Sequence, residues 1–318
     1  MEKFLLDHRA SFEAEKENIR QEHIKRCEDA IARGSSAEEI ATPEQSKNFA
    51  YGLVAQTIGY FEKFNWVAKV SIPECDATIS RKRAERTVEA ALDILKLFFR
   101  RSGKYLRQGH SLGTTPKTAR LTREADGKFD FSLSWGAEDA LTNKEWLQEL
   151  MEAGGPYLRA AGEALDTCVD PQCSSHLKER FLDAMAWYGQ AVSEPQPSVQ
   201  IIKYVAALER LTVTGRFEEG LLTATVIRRS AFLSCHGTNE TYERMLKETE
   251  QVYDCRSDLM HGSKSPFDKR LDLVVPLSEK IARNALFGSL ALYTGLEHDI
   301  HKQATAKNLE EKFKILGV

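Results

Sequence analysis

The chain has 318 residues, of which 42% are hydrophobic and 29% charged, a composition that fills a packed core and excludes a disordered chain. Its net charge of −3 excludes a molecule that is basic overall, so any contact with nucleic acid has to be local. No apolar run approaches the ~20 residues that span a bilayer, and the first residues lack the apolar core of a signal peptide, so a cytoplasmic protein with no membrane partner is expected.

Residues 2–33 are highly charged, with sparse apolar positions at Leu5, Phe12, Ile19, Ile24 and Ile31, and predict a long, mostly exposed helix ending near Gly34. Thr42-Pro43-Glu44-Gln45 reads as a helix start, with Thr42 as the cap, Pro43 in the first turn and Gln45 at the capping-box position. The apolar set from Ala50 through Leu53, Val54, Ile58 and Phe61 to Val67 keeps helical spacing, and Ile72-Pro73 stops it. A third helix is expected from about Ala77 to Arg101.

Charge then becomes uneven. From Arg81 to Lys128 there are thirteen Lys or Arg against five Asp or Glu, and from Phe129 to Glu194 four against twelve. The basic part carries Arg100, Arg101, Lys104 and Arg107 around Tyr105, cations interleaved with an aromatic that are candidates for contact with an RNA backbone. The alternative is that these cations pair with the acidic stretch that follows. Gly127–Trp135 alternates apolar and polar residues, the period of a half-buried strand, and predicts a small hairpin near 119–135 with Ala119–Thr122. Helical patterning resumes over 143–153 and 156–167. Cys168 and Cys173 are the only close pair among six cysteines and match no zinc spacing, so no metal and no cofactor are expected. The turn-rich stretch Asp170–Ser174 marks a boundary between an accessory domain, 1–172, and a second domain, 173–318.

In the second domain, helices are expected over 175–192, around Ile201–Leu211, over 217–235, and from a Thr238 cap to about Met260. Leu271–Pro276 reads as a short extended bridge before a last helix that starts near Leu277.

The chemistry-bearing stretch is Tyr253-Asp254-Cys255-Arg256-Ser257-Asp258-Leu259-Met260-His261-Gly262. Five positions on a helix place Arg256 and His261 roughly 140° apart around the axis and about 7.5 Å apart along it. Two long side chains at that spacing can converge on one phosphodiester. A permanent cation beside a group of the kind that titrates near neutral pH suits phosphoryl chemistry on RNA. A helix C-terminus favours a protonated imidazole, and Gly262 is a helix stop. A structural reading stays open, in which Arg256 pairs with Asp254 or Asp258 and His261 caps carbonyls. A looser match, Arg229 with His236, also exists.

Three stretches in order resemble the Apea-like HEPN domain family: Ala206-Ala207-Leu208-Glu209-Arg210-Leu211, Arg228-Arg229-Ser230-Ala231-Phe232-Leu233, and the Tyr253–Gly262 stretch with its Arg, four residues, then His. The resemblance covers about residues 175–300, roughly 40% of the chain. It implies a mainly α fold, a C-terminal up-and-down helical bundle preceded by a largely helical N-terminal domain with the small β-hairpin. It further implies a metal-independent endoribonuclease in which Arg256 and His261 are catalytic. The RNA 2′-hydroxyl would attack its own phosphorus, His261 would transfer the proton, and Arg256 would steady the phosphorane charge. Ser257, Asp258, Glu209 and Arg228 are supporting candidates, and a structural ion pair is the plainer role for Glu209 and Arg228. Family members commonly dimerise with two motifs facing one cleft, so a homodimer acting on RNA is expected. The family includes toxins and antiviral effectors. The alternative is a non-catalytic module of the same type that binds nucleotides or proteins.

Overall fold

A computed structural model describes residues 9–33, 48, 51–52, 55–56, 68–73, 75–99, 103–104, 106, 108, 118–123, 129–134, 146–173, 175–215, 221–236, 238–300 and 304–318. The chain is mainly helical. In order, the principal elements are α1 (Arg9–Ala32), α2 (Ala77–Phe99), β1 (Thr118–Arg123), β2 (Phe129–Ser134), α3 (Trp146–Val169), α4 (His176–Ser193), α5 (Pro197–Thr212), α6 (Leu221–Cys235), α7 (Tyr242–Met260), α8 (Leu271–Ile300) and α9 (Ala306–Ile315). The helix expected after Thr42 lies almost wholly outside the described residues.

Two compact units divide the chain, Met1–Lys69 with His110–Ala137 and Val70–Gly109 with Glu138–Val318. The first holds α1, which buries none of its described residues, and the antiparallel pair β1–β2, with Ala119 opposite Leu133 and Leu121 opposite Phe131. The expected break at 172/173 is not where the units part. Ile94 and Leu97 of α2 and Ala161 and Ala164 of α3 are buried in the same apolar cluster as Phe181, Tyr204, Val252 and Leu286. Polar contacts tie the same elements: Lys96 donates to the Gly189 carbonyl at 3.3 Å, and Arg283 donates to the Leu97 carbonyl at 2.9 Å. Helical patterning over 143–167 becomes one helix with a kink, where Gly155 adopts φ 29° before Pro156.

The centre of this second unit is α8, which packs on α3, α4, α5, α6 and α7. Gly288 makes its crossing with α6 possible: a Cβ there would sit 2.0 Å from the Leu233 carbonyl oxygen. The start of α8 corrects an expectation. Leu271–Pro276 is helical, not extended. Leu271 and Val275 are buried against Ile201 and Cys255, with Val274 packed on them, which is helical spacing. Pro276 removes a single backbone donor near the helix start, a small penalty against that burial.

Two other corrections concern caps. Thr241 caps α7 by accepting from the Arg244 N–H at 3.4 Å, while Thr238 folds back onto the Ser234 and Cys235 carbonyls at the end of α6. The α9 helix was not anticipated. Thr305 and Asn308 form its capping box, and its Leu309 and Phe313 are fully buried.

Candidate active site

Helix α7 carries the Arg–His stretch at its C-terminal end. Its buried positions Met245, Thr249, Val252 and Tyr253 form one stripe, and Arg256, one turn beyond Val252, stands at the stripe's edge. The helix stops in a Schellman motif. Gly262 takes φ 76°, the Ser263 N–H reaches the Asp258 carbonyl at 2.8 Å, and the Gly262 N–H reaches Leu259 at 3.4 Å. His261 is the C-cap, and its backbone N–H bonds the Ser257 carbonyl at 2.9 Å. The imidazole itself is exposed and makes no hydrogen bond or ion pair among the described residues.

Arg256 is held from another helix. Its Nη2 lies 3.2 and 3.5 Å from the two carboxylate oxygens of Glu209 in the last turn of α5. The Tyr253 hydroxyl donates to the same carboxylate at 3.0 Å, and the guanidinium lies 5.6 Å from the Tyr253 ring centre. Burial, with the Glu209 carboxylate beside it, pushes the Tyr253 phenol above its ordinary value. The other nitrogens of Arg256 are engaged by none of the described residues, and its Nε is buried. A quarter of the Arg256 side chain remains open to solvent.

Glu209 is rigid because the end of α5 is. The last carbonyls of a helix have no intrahelical partner. Here Arg180 of α4 donates to the Arg210 and Val213 carbonyls, Tyr293 of α8 to Leu211 at 2.8 Å, and Arg229 of α6 to Thr212 at 2.9 Å. Three neighbouring helices thus fix the turn that carries the carboxylate.

The remaining candidates divide. Arg256 pairs with neither Asp254 nor Asp258; Asp258 instead meets Lys264 at 3.4 Å. Ser257 lies next to Arg256 and contributes its carbonyl to the helix end. Arg228 is not brought to this place: it is exposed on α6, near Tyr242 at the opposite end of α7. The looser pair separates as well. Arg229 is buried, 2.8 Å from Glu310 and over the Phe313 ring at 4.5 Å, while His236 is exposed. Arg100, Arg101 and Arg107 lie outside the described residues. Lys104 is half-buried, and its carbonyl accepts from Ser193 at 3.3 Å.

A cavity of about 880 Å³ elsewhere is lined by Thr238, Glu240, Arg244, Lys280 and Arg283, without Arg256 or His261. Among the described residues, no cluster of His, Cys, Asp and Glu stands where it could hold a metal ion, and no helix is long and apolar enough to cross a membrane. Of the residues singled out in the sequence, Arg256 and Glu209 meet here with His261 at the same helix end; Lys264, paired with Asp258, and the exposed Phe267 lie on the turn after Gly262 and were not singled out.

No family model, curated protein or solved structure matches the chain.

Proposed function

We propose that the protein is a metal-independent endoribonuclease of the HEPN type, with Arg256 and His261 as its catalytic residues. What carries the reading is the contrast between the two side chains. Arg256 is anchored through one nitrogen with the rest of its fork uncommitted, and His261 stands unpartnered on a rigid helix stop. A cation fixed before the reaction stabilises developing phosphorane charge without reorganising. In the reaction, a base removes the 2′-hydroxyl proton, the 2′-oxygen bonds to phosphorus, and the bond to the 5′-oxygen breaks as that oxygen is protonated. The products are a 2′,3′-cyclic phosphate and a 5′-hydroxyl. DNA lacks the attacking group. One imidazole per chain is thin for both proton transfers, so a homodimer that apposes two Arg256–His261 pairs supplies base and acid. Glu209 and Asp258 are positioning residues, Glu209 through Arg256. Such an enzyme works in the cytoplasm, and a toxin or antiviral effector is the role that fits it.

The test is incubation of the purified chain with single-stranded RNA in EDTA. Cleavage by the wild type, absent in His261→Ala, is expected; equal background from both proteins sinks the enzyme reading. One observation favours a second reading, a non-catalytic module of the same type: the Glu209 carboxylate already compensates the Arg256 charge. That reading predicts intact RNA, with Arg256→Ala lowering the melting temperature.

A further inference from the structure

Phe267 leaves 84% of its surface in water, more than any other large hydrophobic residue among those described. A stray aromatic on a loose loop needs no explanation, but this one sits on a built turn. The loop leaves the Schellman motif, the Phe267 N–H bonds Ser265 Oγ at 3.2 Å, and the Asp268 N–H bonds the Ser265 carbonyl at 3.1 Å. Asp268 then clamps Arg270 through Nε and Nη2 at 3.0 and 2.6 Å. The ring is therefore presented, not merely unburied.

Of the cations on this turn, Lys264 is paired with Asp258 at 3.4 Å and Arg270 with Asp268 at 2.6 Å, which leaves Lys269. Lys269 is exposed and makes no ion pair among the described residues. Five residues separate Phe267 from His261, so their Cα atoms are at most about 22 Å apart, within the span of a short oligonucleotide. An exposed aromatic beside an unpaired cation is an arrangement that holds unpaired bases: the ring stacks on a base, and the cation meets a phosphate.

The geometry points to Phe267 as the platform on which an unpaired base of single-stranded RNA stacks, with Lys269 guiding its phosphates toward Arg256 and His261. This rests on the ribonuclease reading for the direction of the strand and names its substrate as single-stranded. Double-stranded RNA, whose bases are already stacked, offers the ring nothing.

The experiment uses a short fluorescein-labelled RNA methylated on every 2′-oxygen, which binds but has no attacking hydroxyl. Fluorescence anisotropy with the full chain gives Kd, and cleavage of the unmodified RNA gives KM. Phe267→Ala is expected to raise both by about tenfold, the effect of losing one stacked base, with an unchanged melting temperature. Phe267→Trp restores binding and Phe267→Leu does not. Rescue by Phe267→Leu overturns the inference, because a generic apolar contact of the sort a protein partner uses would then explain the ring. Wild-type affinity in Phe267→Ala overturns it as well. If the wild type binds the methylated RNA through Phe267 yet cleaves no RNA, the nuclease reading fails and this one stands. If it cleaves and is indifferent to Phe267, the reverse holds.

Discussion

Arg256 and His261 should respond differently to the same truncation, because one is packed and the other is not. Arg256→Ala removes the cation from a partly exposed pair and leaves the Tyr253 hydroxyl as the remaining partner of Glu209. A loss of about 1 kcal/mol in stability is expected, together with loss of cleavage. His261→Ala should abolish cleavage while stability stays within about 0.5 kcal/mol, since the exposed imidazole makes no hydrogen bond or ion pair among the described residues. Denaturant melts beside the EDTA cleavage assay check both. The neighbours Arg228 and Arg229 give a sharper contrast. Arg229→Ala strips the buried partner from Glu310 and from the Thr212 carbonyl and should cost about 3 kcal/mol; exposed Arg228→Ala should cost under about 0.5. At this scale the sequence displayed the residue types but not their pairings. The structural alternative had Arg256 pairing with Asp254 or Asp258 on its own helix, and it meets an acid 47 positions away. That contact depends on how α5 crosses α7, which periodicity does not encode. Arg229, the looser match, is taken up by Glu310 and Phe313 of α9.

Elements impose their own tests. The stop of α7 relies on a left-handed residue, so Gly262→Ala should destabilise by about 1 kcal/mol and blunt cleavage by loosening His261. Gly288→Ala should be far worse, at least about 3 kcal/mol, because the new methyl meets backbone of α6 and not a side chain that can swing aside. Urea titration by circular dichroism separates the two. Helix existence was legible where apolar residues recur at three and four, as in α4 through α7. It failed at Leu271–Pro276, where adjacent valines and a proline look extended and only burial beside Ile201 and Cys255 shows the helical face. It also failed at α9, whose Thr305–Asn308 cap is a short signal with only Leu309 and Phe313 to support it.

For the whole molecule, the shifted carboxylates set the acid limit. Arg270 hydrogen bonds hold Asp268 down to about 2, Lys203 holds Glu194 low, and Lys280 holds Glu240 low. Glu310 is raised by burial but lowered overall by Thr214 and Arg229. A depressed carboxylate adds stability above its unfolded value, lost as pH falls through its folded one. Asp93, raised by burial, acts in the opposite direction. The depressed groups outnumber it, so melting temperature should fall as pH drops below about 4.5. Glu310→Gln should flatten part of that fall, and scanning calorimetry across pH reads it. The division of the chain into units was the least legible feature. The turn-forming stretch falls between α3 and α4, with a 3-10 turn over Pro171–Cys173, but the burial of Ile94, Leu97, Ala161 and Ala164 against later helices makes it internal to a unit.

The latch between Arg229 and Glu310 carries a consequence in time. Arg229 is made 81 residues before its counter-charge, about 4–16 s earlier at ordinary rates of synthesis. Through that interval Arg229 has the Thr212 carbonyl but not its counter-charge, and the core lacks Leu309 and Phe313. The lock around the turn of α5 that steadies Glu209, and through it Arg256, is thus complete only once α9 has been made. A chain that has reached only α8 carries the motif without that full lock.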